Sequence, residues 1–556
     1  MLVCGLKLTH DGGLALIDGD TLVCSIEMEK LDNNPRFQPL DRLELVGELL
    51  ASAGVGPADV DRFVVDGWTA APGEDAPVLR VTDAGRPVAV PVAPYHERAD
   101  APPLRRYAFE GLPLAGRATP YTSHHHATQH VLGSYCTGPF AERGEPALVL
   151  VWDGGMRPRL YRVEPDPFEI TPLGPLLPVL GSAFADFAAE LPPFRAPDAD
   201  RARPWRQGMP PHLDVAGKAM AFAALGRDEP DFHPVLDDRL QVASPAYGTA
   251  AEAARWIDAR RRTLWPGCTD ADLIATLQGF LGARLLEALR ARIAPLHRDP
   301  AAANLCLAGG CFLNIKWNSL LRRSGLFHEV WVPPFPNDSG AALGAALAET
   351  VATGRTRLRW DVRSGPALRS TAAVPGRRAE PCDAAGLARY LHRTGEPVVV
   401  LRGHAELGPR ALGGRSILAP ATDPKTKALL NEVKDREDYR PVAPVCREER
   451  APEVFDPGLP DPYMLFDHVV RPRWAERVPA VVHLDGTARL QTVNAAQDPF
   501  LHQVLVEYER LSGVPVLCNT SANHKGRGFF PDLRSAAEWD RVDALWGDGL
   551  LHRRQT

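Results

Sequence analysis

The sequence predicts an α/β domain built from two similar halves, followed by an α+β domain, and three observations predict it. The chain opens as strand, turn, strand, turn, strand in MLVCGLKLTHDGGLALIDGDTLVCSIEMEKL, with His10-Asp11-Gly12-Gly13 and Gly19-Asp20 as the turns. A strand running into Asp-Gly-Gly recurs from Ala147 to Gly155 (ALVLVWDGG), where a duplicated fold would place it. Between Thr353 and Ala385 the composition turns to Arg, Gly, Ser, Thr and Pro with little periodicity. That shift sets a linker at 353–385, between a first domain at 1–352 and a second at 386–556.

The bulk numbers allow this. A chain of 556 residues, 45% hydrophobic and 24% charged, can bury a sizeable core in more than one domain. The formal net charge of −6 argues against a general nucleic-acid binder. Nine cysteines, an odd number with no CxxC pair, sit mostly in apolar runs and read as reduced thiols of a cytoplasmic protein. No basic stretch precedes an apolar one at the start, so no signal peptide is expected, and no apolar run nears the roughly 20 residues of a membrane helix.

In chain order, Asp41 to Ala53 has the spacing of an amphipathic helix, and Val60 to Val65 reads as a strand. Residues 70–120 are rich in Pro, Arg and Asp and read as irregular apart from short strands such as Val88 to Val92. Residues 180–212 are loop-rich. Val215 to Leu225 is a helix carrying Lys218, and Asp270 to Ile293 a long helix. NLCLAGGCFLNIKWN is a buried strand that turns at Gly309-Gly310 into a helix, a junction able to take a phosphate at the helix N-terminus. Val330 to Thr350 repeats that plan through PPFPNDSG. In the second domain Pro397 to Arg402 is a strand, Lys425 to Val433 a helix, and Ala480 to Leu484 and Val514 to Leu517 are strands.

Two constellations carry chemistry. In HHHATQH, His126 and His130 stand at i and i+4, which on a helix points both imidazoles at one ion. Asp153 at a strand end and Asp338 in PNDSG are the carboxylates placed to complete the shell, a donor set that suits Fe(II), Mn(II) or Zn(II) better than Mg²⁺ alone. His124 and His125 lack such spacing and read as neighbours or substrate contacts. Asp11 reads as a turn residue or a site residue, and His10 as a general base or a substrate positioner. The second constellation is GHAELGPRALGGRS to KDREDYRP, where arginines alternate with Gly, Pro and Ser rather than with helical Glu partners. Bidentate arginine beside glycine suits phosphate or a planar carboxylate-like group. HLDGTARLQTV and CNTSANHKGRG follow apolar runs and bring further polar groups to that pocket.

These motifs resemble one family. THDGG, HATQHVLGSYCTGPF, VLVWDGGM, AGGCFLNIKWN, PPFPNDSGAALGAAL, GPRALGGRSILA, NEVKDREDYRPVAPV, HLDGTARLQTV and PVLCNTSAN span almost the whole chain. They are similar to those of the O-carbamoyltransferases of the nodulation-protein-U, cephalosporin and tobramycin type. The resemblance implies an N-terminal ASKHA domain, of duplicated actin type and similar to TsaD, and a C-terminal domain similar to YrdC. It implies that the second domain makes carbamoyl adenylate from carbamoyl phosphate and ATP, with Mg²⁺ accompanying the nucleotide. The first domain would then pass the carbamoyl group to a hydroxyl of a small-molecule acceptor, such as an antibiotic or other secondary metabolite.

By position, the resemblance makes His126, His130, Asp153 and Asp338 the ligands of an iron-type site, with Mn or Zn as other occupants. It makes Gly12, Gly154, Gly155, Gly309, Gly310 and Asn314 nucleotide-cradling turns and places Lys218 in a helix near them. Arg410, Arg415, Lys434, Arg440, Arg489, Ser521 and Asn523 become the carbamoyl-phosphate and ATP site, and His10 with Asp11 stands beside the acceptor. Two departures bear on acceptor class and nucleotide geometry: SANHKGRGFFP replaces the SFNxxGEP of many relatives, and His404 stands where arginine or a similar polar residue is common. Segments 70–120 and 180–212 are the expected specificity loops, with Trp205, Arg206 and His212 as candidate contacts. No nucleic-acid or membrane partner is expected, and a homodimer is left open. A threonylcarbamoyl-transferring tRNA-modifying enzyme and a catalytically inactive nucleotide-binding regulator are the alternatives.

Overall fold

The computed structural model describes residues 1–71, 73–74, 76–197, 212–243, 245–295, 303–371 and 373–554. Two compact units make up the chain: Met1–Met28 with Phe37–Asp361, and Glu29–Arg36 with Val362–Thr556. Among the described residues no helix is long and apolar enough to cross a membrane.

The first unit holds two main sheets with the same plan. Strands β1 (Leu2–Lys7), β2 (Gly13–Asp18) and β3 (Thr21–Glu27) form an antiparallel meander, and β1 then pairs in parallel with β4 (Arg62–Asp66). After a separate hairpin of β5 (Val78–Asp83) and β6 (Arg86–Pro91), β7 (Tyr107–Leu114) and β8 (Arg117–His124) complete the order β3-β2-β1-β4-β8-β7. The second sheet repeats it. Strands β9 (Ala147–Val151), β10 (Arg159–Pro165) and β11 (Phe168–Pro175) form the meander, and β12 (Asn304–Ala308) and β13 (Glu329–Trp331) follow in parallel, in the order β11-β10-β9-β12-β13. Two strand-end turns of one kind, Asp11-Gly12 after β1 and Asp153-Gly154 after β9, therefore occupy equivalent places.

Two buried helices position the first site. His126–Tyr135 and Ala341–Val351 are buried along their whole lengths. The second is Ala, Gly and Leu from residue 341 to 348 because its neighbours come very close. A Cβ on Gly344 would stand 2.2 Å from Gln129 O of the first helix, and one on Gly5 of β1 would stand 1.9 Å from Ala342 O.

The second unit is one eight-stranded mixed sheet, with β14 (Arg377–Pro381), β15 (Val398–Leu401), β16 (Arg415–Pro420) and β17 (Ala443–Arg447) from its first half. A small sheet of β18 (Phe455–Asp456), β19 (His468–Val470) and β20 (Thr487–Ala488) intervenes before β21 (Gln491–Val493), β22 (Val516–Ser521), β23 (Ala544–Gly547) and β24 (Leu550–Arg554). Alternation sends Val399, Leu401 and Ile417 into one core and Val398, Val400 and Leu418 into another.

Three expectations need correction. Residues 70–120 are not irregular but contain β5 to β7 and the start of β8, since exposed edge hairpins tolerate Arg and Pro on their outer faces. Ala480 to Leu484 is no strand: Pro479–Val481 is a 3₁₀ turn, begun by a proline that a sheet interior would reject. The stretch 353–385, expected as linker, contains β14, the edge partner of β24.

Candidate active sites

In the first unit, four side chains converge. One ligand atom each from His126, His130, Asp153 and Asp338 lies within 4.8 Å of every other, and all four residues are buried. His126 and His130 open one helix one turn apart, with Nε2 atoms 3.1 Å from each other. Asp338 starts the 3₁₀ turn that leads into helix Ala341–Val351, and its Oδ1 lies 3.4 Å from His126 Nε2 and 3.3 Å from His130 Nε2. That Oδ1 has no hydrogen-bond donor among the described residues. Asp153 follows β9, with Oδ2 3.8 Å from His126 Nε2.

Three of the four are oriented from behind. His126 Nδ1 donates to Asp66 at 2.9 Å, which leaves Nε2 as the lone-pair nitrogen aimed into the cluster. Lys7 Nζ reaches Asp66 and Asp338 Oδ2, each at 2.7 Å, and lies 4.0 Å from the centre of the Trp68 ring. Tyr95 Oη donates to Asp153 Oδ2 at 2.6 Å, and Gly310 N donates to Asp153 Oδ1 at 2.8 Å. His10 stands at the rim, with Nδ1 2.8 Å from Asp11 Oδ2 and Nε2 3.3 Å from Asp338 Oδ2.

The donor chemistry fits a cation. Three buried carboxylates, Asp66, Asp153 and Asp338, face one buried lysine. Burial pushes Asp338 up, but Lys7, His126 and His10 overcome it and hold the carboxyl well below the usual carboxylate range. Burial pushes the His126 imidazole down, yet Asp66 and Asp338 raise it well above its ordinary value. With no ion bound, a proton on His126 supplies part of the positive charge that the buried carboxylates call for; a cation would take the place of that proton and free Nε2 as a ligand. Two imidazoles and two carboxylates suit a borderline divalent ion.

At the glycine turns the chain's own atoms lie close to Gly12, Gly155 and Gly309, whereas Gly154 is open. The Gly12 N–H donates to Gln38 O at 2.9 Å, and a Cβ there would stand 2.1 Å from Leu40 N. Gly309 has a φ of +96° and lies against Trp152 O, while the Gly310 N–H is the one that holds Asp153. A Cβ on Gly155 would stand 2.7 Å from Tyr247 Oη, whereas one on Gly154 would meet nothing within 4 Å. Asn314 Oδ1 caps the helix Ile315–Arg323 by accepting from Lys316 N at 3.1 Å. Lys218, on the helix Val215–Phe222, pairs with Asp214 at the surface. His124 pairs with Glu349 and His125 with Tyr107, outside the cluster, and Trp205 and Arg206 lie outside the described residues.

In the second unit the charge is inverted. Arg410 precedes β16, Arg436 and Arg440 lie between helix Lys425–Val433 and β17, and Arg489 lies between β20 and β21. Burial holds Arg410 well below its ordinary value, and Arg489, Arg36, Arg440 and Arg436 add to the effect. Burial, with Arg440 and Arg489, pushes Arg436 down to about 9; burial, with Arg440, pushes Arg489 down to about 10. The Nε atoms of Arg410 and Arg489 are buried with no hydrogen-bond partner among the described residues. Guanidinium does not give up its proton under ordinary conditions, so the strain marks a place for an anion.

Two residues expected there as ligand contacts are otherwise engaged. Arg415 donates to the carbonyls of Arg402, Gly414 and Gly403 at 2.7, 2.9 and 3.0 Å. Lys434 Nζ donates to Ser521 O at 2.7 Å and to the carbonyl and side-chain oxygens of Asn523. Ser521 Oγ in turn donates to Asn523 Oδ1 at 2.6 Å. Lys434 and Arg415 thus shape the loop on which the cluster sits.

Sequence reasoning missed Lys7, Asp66, Trp68 and Tyr95 in the first cluster and Arg36 in the second. For Lys7 and Asp66 a signal existed: each is a charge ending an otherwise apolar strand, LVCGLK and RFVVD.

Comparison with known proteins gives a consistent picture. Residues 2–99 and 110–347 match the family model described as carbamoyltransferase N-terminus, and residues 388–551 match carbamoyltransferase C-terminus. The chain is 46% identical over 573 residues to nodulation protein U of Rhizobium tropici, covering 100% of this chain and 96% of that one. It is 34% identical over 566 residues to 3'-hydroxymethylcephem-O-carbamoyltransferase of Streptomyces clavuligerus, covering 100% and 99%. Glucokinase of Balamuthia mandrillaris, a solved structure, aligns at 13% identity and a TM-score of 0.26 over 62% of this chain and 92% of that one, too loosely to carry an argument.

Proposed function

Because the chain belongs to the carbamoyltransferase family, we propose that it is an ATP-dependent O-carbamoyltransferase working in two steps at two sites. In the first step water displaces phosphate from carbamoyl phosphate, giving carbamate and inorganic phosphate. The carbamate oxygen then attacks the α-phosphorus of ATP, and pyrophosphate leaves carbamoyl adenylate behind. In the second step the acceptor hydroxyl oxygen attacks the carbamoyl carbon, the bond to AMP breaks, and the hydroxyl proton passes to a base.

The arginine cluster is the place proposed for the first step. Arg410, Arg436, Arg440 and Arg489 can grip phosphate oxygens, and Lys434 fixes the Ser521–Asn523 loop beside them. The histidine–carboxylate cluster is the place proposed for the second. His10 stands next to it with Nδ1 anchored on Asp11, which leaves Nε2 as the atom to take the hydroxyl proton. A divalent ion held by His126, His130, Asp153 and Asp338, with iron proposed first and Mn or Zn as alternatives, would supply Lewis acidity to the charge that develops on transfer. Making a labile adenylate and consuming it within one chain limits its loss to water.

The repeated three-two-one-four-five strand order of the two sheets supports an ASKHA-type reading of the first unit. An eight-stranded sheet with the arginines in the connections around its strands supports a YrdC-like reading of the second. The activity for which the Streptomyces clavuligerus relative is named, 3'-hydroxymethylcephem O-carbamoyl transfer, points to a hydroxymethyl group on a small molecule as the kind of acceptor.

The observation that carries the proposal is the presence in one chain of a buried cluster short of positive charge and another short of negative charge. The test is to supply ATP, Mg²⁺ and carbamoyl phosphate and measure pyrophosphate, then add candidate alcohols and look for AMP and a product heavier by one carbamoyl group. Absence of carbamoyl-phosphate-dependent pyrophosphate would overturn the reading.

A further inference from the structure

Residues Glu29–Arg36 lie early in the chain, just after β3, yet they belong to the second unit. They cross that unit as a strap held along its length. Lys30 Nζ donates to Gly408 O at 2.7 Å and to Glu406 O, and lies 5.3 Å from the centre of the Phe529 ring. Gly528 N donates to Asn34 O and Arg36 N donates to Gly526 O, both at 3.0 Å, while Arg527 donates to Asn33 O at 2.8 Å. Pro35 and Arg527 form an antiparallel bridge. Gly528 has no room for a side chain, because a Cβ would stand 1.6 Å from Glu29 O. The dock is the Asn523-His524-Lys525-Gly526-Arg527-Gly528 loop.

The last residue of the strap is Arg36. Its charge is felt by Arg410, Arg436 and Lys434, so it sits among the cations of the arginine cluster. In that cluster burial and mutual repulsion hold Arg410, Arg436 and Arg489 below their ordinary values, and the Nε atoms of Arg410 and Arg489 are buried with no hydrogen-bond partner among the described residues. The Arg36 N–H bond to Gly526 O and the Pro35–Arg527 bridge fix the end of the strap against the loop that follows Ser521 and Asn523, and so bring a further cation to that cluster. Such an arrangement makes physical sense when an anion of several charges occupies the centre. Lys434 and Arg415 have committed donors to carbonyl oxygens. Arg36 is exposed at the end of a well-anchored strap.

We propose that Arg36 binds a phosphate group of the substrates in the arginine site. The N-terminal part of the chain thereby completes a site otherwise built by residues beyond 362. The inference rests on the reading of that site as the place where ATP and carbamoyl phosphate react.

The test uses the full chain with Arg36→Ala and Arg36→Lys. Carbamoyl-phosphate-dependent pyrophosphate release is measured while ATP and carbamoyl phosphate are varied separately, with thermal melting to show that each variant folds. Arg36→Ala should raise the KM for one of the two phosphate substrates by about tenfold or more, and Arg36→Lys should recover part of the loss by restoring a point charge. Which KM moves tells which phosphate Arg36 holds. Lys30→Ala, which loosens the strap with Arg36 intact, should move the same KM in the same direction by less. Unchanged KM values for both substrates in Arg36→Ala would overturn this inference and leave the two-site reading standing. No pyrophosphate release from the wild-type chain would overturn both.

Discussion

The histidine–carboxylate cluster and the arginine cluster are the same physical problem with the sign reversed. In the first, three buried carboxylates share one lysine, and Lys7 answers two of them. In the second, burial and mutual repulsion hold Arg410, Arg436 and Arg489 below their ordinary values despite Glu437 and Asp461. The first is tightly cross-linked, with bonds from Asp66, Lys7, Tyr95 and Gly310 fixing His126, Asp338 and Asp153. The second leaves the Nε atoms of Arg410 and Arg489 unpartnered. A rigid cluster suits a small resident ion, whose affinity depends on tenths of an ångström. A looser ring of guanidinium groups suits phosphates that come and go with each turnover.

The sharpest way to break this contrast is to disable each cluster and ask which half of the reaction stops. His126→Ala or Asp338→Asn should lower carbamoyl transfer by about 10³-fold or more, while pyrophosphate release continues. Treatment with a chelator should do the same, with recovery on adding back a divalent ion. Arg489→Ala should have the opposite pattern, cutting pyrophosphate release by about 10²-fold or more. If both variants lost the same step, the division between the clusters would be wrong.

His10 tests what the edge of the first cluster does. As a base it should supply about 10²–10⁴-fold. His10→Gln, which keeps a polar side chain without a titrating group, should lose most of that and abolish the acidic limb of the transfer pH profile. A positioning role predicts instead a raised acceptor KM and an unchanged profile.

The second cluster also predicts an effect on stability. A bound anion relieves the repulsion among the arginines, so pyrophosphate should raise the melting temperature, by about 2.7 kcal/mol of added stability at a hundredfold excess over its Kd. Arg410→Ala should melt at least as high as the wild type without pyrophosphate and gain less from it. An equal gain would show that pyrophosphate binds elsewhere.

Much of this was legible in the sequence, and the rest was hidden for identifiable reasons. Helices Asp270–Ile293 and Lys425–Val433 follow from their spacing, the first helped by a Thr269 cap that accepts from Asp272 N. HxxxH and the two strand-end aspartates could be read because such residues have few other reasons to sit in apolar surroundings. The glycines were harder. Turns could be read at Gly12 and Gly309, but the sequence does not say what lies against them, and here the chain itself does. Arg415 and Lys434 show the same ambiguity for cations, since a backbone carbonyl satisfies a guanidinium or ammonium as well as a phosphate does. Arg36 gave no sign, because its partners lie nearly four hundred residues or more further along the chain.

A third buried charge set provides the control. Glu349 accepts from Arg106 at 2.7 Å and Thr122 at 2.9 Å, and lies 3.2 Å from His124 Nε2. Burial pushes its carboxyl up, but these partners bring it down from 4.5 to about 2. Unlike the two clusters above, this one supplies its own counter-charge and leaves no place for a ligand. A carboxyl with a depressed folded-state pKa adds stability that is present above its unfolded value of 4.5 and drains away as pH falls toward about 2. Glu349→Gln should therefore lower stability at neutral pH, flatten its acid dependence between those limits, and leave both KM values for the phosphate substrates unchanged. A fall in pyrophosphate release out of proportion to the folded fraction would mean that charge completeness does not separate structural networks from sites in this protein.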